Sequence, residues 1–206
     1  EFQGPAGLQA IRPEGAAYVT GGGDSRRSNR RKGPSAVTDA ADQVPIYNLD
    51  LEQGMATIND IADYVICRLA TAETPINQLK LQKLLYYIQA WHLAHAGKPI
   101  VDAKFQAWVH GPVNRSIFDR FKSSKLLYSA MTPDDVRPDF NSDTALAEDE
   151  RGFVNAVLDA YGGLTGDQLE SLTHQEEPWI EARGSLGPDQ RCEREIDEGT
   201  MARFYK

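Results

Sequence analysis

Residues 78–96, QLKLQKLLYYIQAWHLAHA, constrain the fold more than any other stretch of the chain. Leu81, Leu84, Leu85, Ile88 and Trp91 with His92 recur at helical spacing and mark one face. Leu79, Tyr86, Tyr87 and Leu93 spread apolar surface well beyond that stripe. A helix that is apolar around most of its circumference has to be surrounded, so the pattern predicts a central helix. Gly97 is placed to stop it and Pro99 follows at the usual offset.

The flanking segments supply what would surround it. Thr57 with Asp60 reads as a helix start, and Ile58, Ile61, Ala62, Val65, Ile66 and Leu69 form one buried stripe that ends before Pro75. Phe105, Ala107 and Val109 alternate with Gln106, Trp108 and His110, which predicts a short strand. Residues 99–101 are its expected hairpin partner. Gly111-Pro112 is expected to break the strand, with Pro112 opening a third helix whose inner face carries Val113, Ile117, Phe118 and Phe121. Residues 129–150 read as a polar loop, with seven acidic residues from Asp134 to Glu150 against the single base Arg137. A further helix is expected from about Thr144 to Tyr161. Thr165 with Gln168 forms a capping box, stapled by Leu164 and Leu169. Pro178 opens another turn or two, and Met201, Phe204 and Tyr205 dock a last short helix. The expected fold is mainly α, a single compact domain of five or more helices over 55–206 with at most one small β-hairpin.

Residues 1–54 read differently. They contain GPAG and TGGGDSRRSNRRKGPS and sustain no apolar period, so this stretch is expected to be a low-complexity tail or an added linker. Met55 stands just before the first ordered pattern, which predicts a native start there. The basic run Arg26, Arg27, Arg30, Arg31 and Lys32 is either a solvated linker or an arm for nucleic acid. The whole chain carries a net charge of −8, which argues against non-specific nucleic-acid binding over the whole surface. No apolar run is long enough to cross a membrane, and no signal segment is visible at the start. Cys67 and Cys192 stand far apart, which excludes a disulfide framework and fits a reducing cytoplasm.

No phosphate-binding loop, dinucleotide glycine pattern, GxSxG or HExxH is present, and Gly21, Gly22 and Gly23 follow no strand. His92 and His95 share a helix face as metal ligands do, but no third ligand stands within the next turns. His174 with Glu176 and Glu177 resembles an acid/base cluster, and a hydrolase centred on His174 and Glu177 is one reading. The other is a helix end that satisfies backbone groups. No cofactor or metal is expected, and the chain is not expected to be an enzyme. Tyr86, Tyr87, Trp91, Trp108 and Trp179 read as core, or as anchors of a protein interface where exposed.

Three stretches carry a family resemblance: LKLQKLLYYIQAWHLAHAGKPI (79–100), FQAWVHGPV (105–113) and LTHQEEPWIEAR (172–183). Together they resemble the Panacea domain, the antitoxin domain of many bacterial and phage toxin–antitoxin pairs, which includes SocA-like and phage-associated GepA proteins. The likeness runs over about 58–205. It implies a mostly helical domain that binds and neutralises a cognate toxin, with delivery to the ClpXP protease as a SocA-like variant of that role. His110 stands where the family usually carries another aromatic residue. The motif residues Gln82, Lys83, Tyr86, Tyr87, Trp91, Gly111, Pro112, His174, Glu177, Pro178 and Trp179 are read as scaffold first. Toxin contact is expected nearby, on Lys104, Gln106, Trp108 and His110 of the hairpin and on Asp134, Asp135 and Asp139 of the acidic loop. Neutralising those three aspartates is expected to weaken association while leaving stability nearly unchanged.

Overall fold

A computed structural model describes residues 56–206. The tail over 1–54, its basic run and Met55 lie outside the described residues. The described chain forms seven α-helices, a two-stranded antiparallel sheet and one 3-10 turn, as the mainly helical reading requires. Helix α1 (Ile58–Thr71) opens on Thr57, whose hydroxyl accepts from the Asp60 N–H while the Asp60 carboxylate accepts from the Thr57 N–H at 2.7 Å. Helix α2 (Gln78–Ala96) starts at Asn77, whose side chain accepts from the Lys80 N–H, and stops at Gly97 with φ +68°.

Helix α2 is central. All of it except His92, His95 and Ala96 is buried. Around it pack α1, α3 (Arg115–Phe121), α4 (Glu148–Tyr161), α5 (Gly166–Thr173) and α7 (Glu198–Phe204). Helix α6 (Glu177–Arg183) packs on α7 and on the sheet. Leu84 is fully buried in this core. Leu84→Ala is expected to cost roughly 2–5 kcal/mol in urea denaturation. A loss under about 1 kcal/mol would show that the core around α2 is not close-packed there.

The sheet corrects one expectation. Strand β1 (Gln106–Trp108) pairs with β2 (Gly111–Val113), not with 99–101, and the register sets Ala107 opposite Pro112. Residues 101–103 are instead tied to α2, where Gln89 Nε2 donates to the carbonyls of Val101 (3.0 Å) and Ala103 (3.3 Å). A proline is tolerated in β2 because its partner does not need its N–H. The Ala107 N–H turns outward and donates to the Arg194 carbonyl at 2.9 Å. Pro112 is buried and its own carbonyl faces Lys83 of α2 at 3.2 Å, so an N–H on that side would have been costly to leave unpaired. Helix α3 therefore begins three residues later than expected, at Arg115, and Asn114 caps it by accepting from the Ile117 N–H.

The acidic loop corrects two more. Helix α4 starts at Glu148 rather than near Thr144. Asn141 holds the preceding turn through the N–H groups of Asp143 and Ala145, and the Glu150 carboxylate accepts from the Ala147 N–H at 3.0 Å. Asp135 closes a 3-10 turn (Pro133–Asp135): its carboxylate accepts from the Thr132 N–H at 2.8 Å and pairs with Lys125 at 2.8 Å. Asp134 and Asp139 are exposed. The three aspartates are thus not equivalent. Removing Asp135 breaks a turn and a partly buried ion pair, so the triple substitution will not leave stability unchanged.

Candidate binding pocket beneath the hairpin

The first half of α2 presents polar groups to the hairpin. Gln82 makes a two-way clamp with Asn114: its carbonyl oxygen accepts from the Asn114 N–H at 2.8 Å and its amide donates to the Asn114 carbonyl at 3.3 Å. Lys83 is fully buried and donates to the Pro112 carbonyl. Burial brings its ammonium down to about 7, against the opposing pull of the Glu170 carboxylate. Gly111 lies directly above Lys83 and Thr173 with φ +86°.

From the other side, α6 holds the hairpin. Trp179 donates from its indole to the Trp108 carbonyl at 3.0 Å and stacks on His174, with ring centroids 4.1 Å apart. Arg183 is buried, lies over the Trp179 ring and donates to the Ala107 carbonyl at 3.1 Å. Its other nitrogen donates to the carbonyls of Gly187, Pro188 and Gln190. The hairpin is fixed on both sides by side chains that donate to its backbone carbonyls.

This leaves a pocket of about 450 Å³ open between α2, the hairpin and α3. Leu79, Val113, Phe118 and Leu127 make it apolar, while Trp108 and His110 come from the hairpin. Trp108 is half-buried, packs edge-on against Phe118 and has the Arg115 guanidinium over its ring. Gln78, 2% exposed, stands in the wall with its Nε2 unpaired. The structure therefore brings Trp108 and His110 together with Gln82 and Lys83 around one cavity. Gln106 accepts from the Trp108 indole at 2.8 Å, and Lys104 pairs with Glu198 at 2.7 Å. Asp134, Asp135 and Asp139 do not line the pocket.

His174 and Glu177 are not a pair. Glu177 is exposed at the start of α6, whereas His174 has Glu170 3.9 Å away and Trp179 against its ring. His110 shares Glu170, at 3.1 Å. Burial lowers the proton affinity of His174, with Glu170 opposing the shift. Pro178 is buried in the first turn of α6. On α2, His92 donates from Nδ1 to the Lys98 carbonyl at 2.8 Å and meets Phe153 edge-on, while His95 stacks on Trp91. Burial and the neighbouring His92 lower the pKa of His95, so it is not poised as a cation at the helix end. Among the described residues no group of three or more His, Cys, Asp and Glu is arranged to hold a metal ion.

Sequence reasoning missed Glu176 as a core residue. It is 3% exposed and accepts from Tyr87 at 3.0 Å and from Tyr205 at 2.6 Å. Tyr86, Tyr161 and Trp91 complete this buried aromatic cluster, with Tyr87 stacked on Tyr161. Burial pushes the Glu176 carboxyl up to about 7 from an ordinary 4.5, although the two tyrosine hydroxyls restrain the shift. A carboxyl whose pKa is raised on folding stabilises the fold below its unfolded pKa, and that contribution is lost as pH rises through the folded pKa. Between pH 4.5 and 7 the wild-type chain should lose roughly 3 kcal/mol through this group. Glu176→Gln should not show that loss, so its stability relative to wild type should rise over the same window. Urea unfolding of both proteins at several pH values checks this, and parallel pH profiles would contradict it.

The fold and pocket define a small, mainly helical domain with a buried central helix and a hairpin pinned over an apolar cavity. Residues 81–180 match the family model described as antitoxin SocA-like, Panacea domain. The chain is also 27% identical over 124 residues to antitoxin SocA of Caulobacter vibrioides, a match covering 58% of this chain and 66% of that protein, just under two thirds of its length. No solved structure gives a significant match. Among the described residues no helix is long and apolar enough to cross a membrane.

Proposed function

We propose that this protein is an antitoxin that binds a cognate toxin protein and silences it by contact, performing no chemistry itself. The observation that carries this reading is the SocA-like Panacea match over 81–180, which takes in most of the pocket and the whole hairpin. The likeness to a protein named antitoxin SocA points the same way. Delivery of the bound toxin to the ClpXP protease is the finer form of the proposal.

The test is co-expression with the adjacent reading frame. That frame alone should arrest growth, and this chain should restore it. A chain beginning at residue 55 should restore it equally, because the proposal places neutralisation in the helical domain. If delivery operates, the toxin's half-life should shorten in the presence of this chain and lengthen again in cells lacking ClpX. Failure of the full chain to restore growth overturns the antitoxin reading.

A further inference from the structure

The charged side chains that line the pocket are all cationic. Arg115 and Arg191 carry the charge, Lys83 adds an amine whose burial weakens its hold on the proton, His110 adds a ring at the edge, and no carboxylate lines the cavity. This is a local inversion on a protein whose net charge is −8. Each rim arginine has a carboxylate partner that does not itself line the cavity. Arg191 pairs with Glu193, which also lies 3.7 Å from Arg115, and Arg115 pairs with Asp119 at 3.1 Å. All of these pairs are on exposed side chains and are weak in water. In the wall, the Nε2 of Gln78 is a buried donor with no acceptor. An unpaired buried amide is costly, and a ligand that brings a carbonyl oxygen removes that cost. The volume, about 450 Å³, is that of a site for a compact ligand or for one or two large side chains. Apolar walls, an unmet donor and a cationic rim together select a ligand that is apolar at one end and anionic at the other.

We propose that this pocket is the anchor point for the partner protein: it takes one large apolar side chain from a linear segment, while an adjacent Asp or Glu of that segment rests on Arg115 and Arg191. A backbone carbonyl of the same segment then meets the Gln78 amide. Trp108, half-exposed at the mouth, covers the anchor as aromatic residues do at interface centres. This assignment rests on the antitoxin reading and names the chemistry of the segment that the antitoxin holds.

The probe is the peptide acetyl-Phe-Glu-amide, with acetyl-Phe-Gln-amide as its neutral twin, titrated into the full chain at low salt and followed by the NMR signals of the Trp108 indole and the Gln78 side-chain amide. The glutamate peptide should shift both signals saturably and bind about threefold more tightly than its twin. The Arg115→Gln/Arg191→Gln variant should keep the parental melting temperature and lose that preference. Equal affinities, or shifts confined to other residues, overturn the proposal. In the co-expression assay the same variant should lose most of the growth rescue. If the parent rescues and this variant rescues equally, the pocket is not the anchor and the antitoxin reading stands. If the parent does not rescue, the antitoxin reading falls, and with it the identity of the partner. The peptide titration then decides alone whether the pocket selects an apolar residue beside a carboxylate.

Discussion

Gly111→Val is expected to destabilise the domain by roughly 3–5 kcal/mol and to abolish growth rescue through misfolding rather than through a lost contact. Two independent costs combine. Gly111 has φ +86°, a conformation that a β-branched residue adopts only under strain. A Cβ there would also stand 2.6 Å from Lys83 Cε and 2.7 Å from Thr173 Oγ1. Both neighbours are fully buried, so neither can swing away into water. Lys83 is held beneath the hairpin by Pro112, and Thr173 by its bond to the Glu170 carbonyl at 2.9 Å. Gly111→Ala carries the same first-atom clash with a smaller strain and should fall below the valine variant in severity. Gly111→Ala should cost less in a Lys83→Ala background than in the parent, because the closest contact is then gone while the backbone strain and the approach of Thr173 Oγ1 remain. Urea denaturation of these variants and of Lys83→Ala alone checks this. If Gly111→Ala costs as much in both backgrounds, the close approach of Lys83 to the hairpin is not what requires glycine at this position.

The central helix was legible because its signal is local: apolar side chains on every face of 78–96 leave few alternatives to a surrounded helix. Capping residues were legible for the same reason. The Thr57–Asp60 and Thr165–Gln168 pairs act within three residues of each other, and both are formed. The hairpin partner was not legible, because Gly111-Pro112 is a breaking signal in isolation. Its tolerance depends on where two distant groups turn, the Ala107 N–H towards Arg194 and the Pro112 carbonyl towards Lys83. The pocket was half-legible. Trp108 and His110 stood out, whereas Gln78 did not, and Glu177 was chosen where Glu176 is the buried acid. One signal was available for the polar wall. Gln78, Gln82 and Gln89 fall within about 40° of one another around a helix that turns roughly 100° per residue. Gln82 and Gln89 of that strip bond the backbone of residues 101–114, while the Nε2 of Gln78 at its start is unpaired in the pocket wall.

Asp63→Ala is expected to cost about 3 kcal/mol, the low end of the range for breaking a buried ion pair from one side. Asp63 is fully buried on α1, among Ile61, Ala62, Val65 and Ile66, where helical periodicity alone would place a carboxylate in water. It is kept there by two arginines that reach it from distant segments. Arg120 of α3 bonds one oxygen and Arg137 bonds the other, while Arg137 also pairs with Asp60. The same Arg120 donates to the Asp135 carbonyl at 3.1 Å, so one buried carboxylate ties α1 to α3 and to the acidic loop. Removing it leaves Arg120 with neutral acceptors only, Asn59 and the Asp135 carbonyl, and leaves Arg137 with Asp60 alone. Both guanidiniums retain some water, with side-chain exposures of 19% and 36%, which keeps the cost below that of a fully enclosed pair. The one basic residue in a run of acids was the sequence signal for this knot: Arg137 is there for Asp60 and Asp63, not for its neighbours. A double-mutant cycle with Arg137→Ala isolates the pair. The two single substitutions should each destabilise the protein in urea, and the double should cost clearly less than their sum. Strict additivity would mean that the carboxylate and the guanidinium stabilise the fold separately, and that the acidic loop is anchored elsewhere.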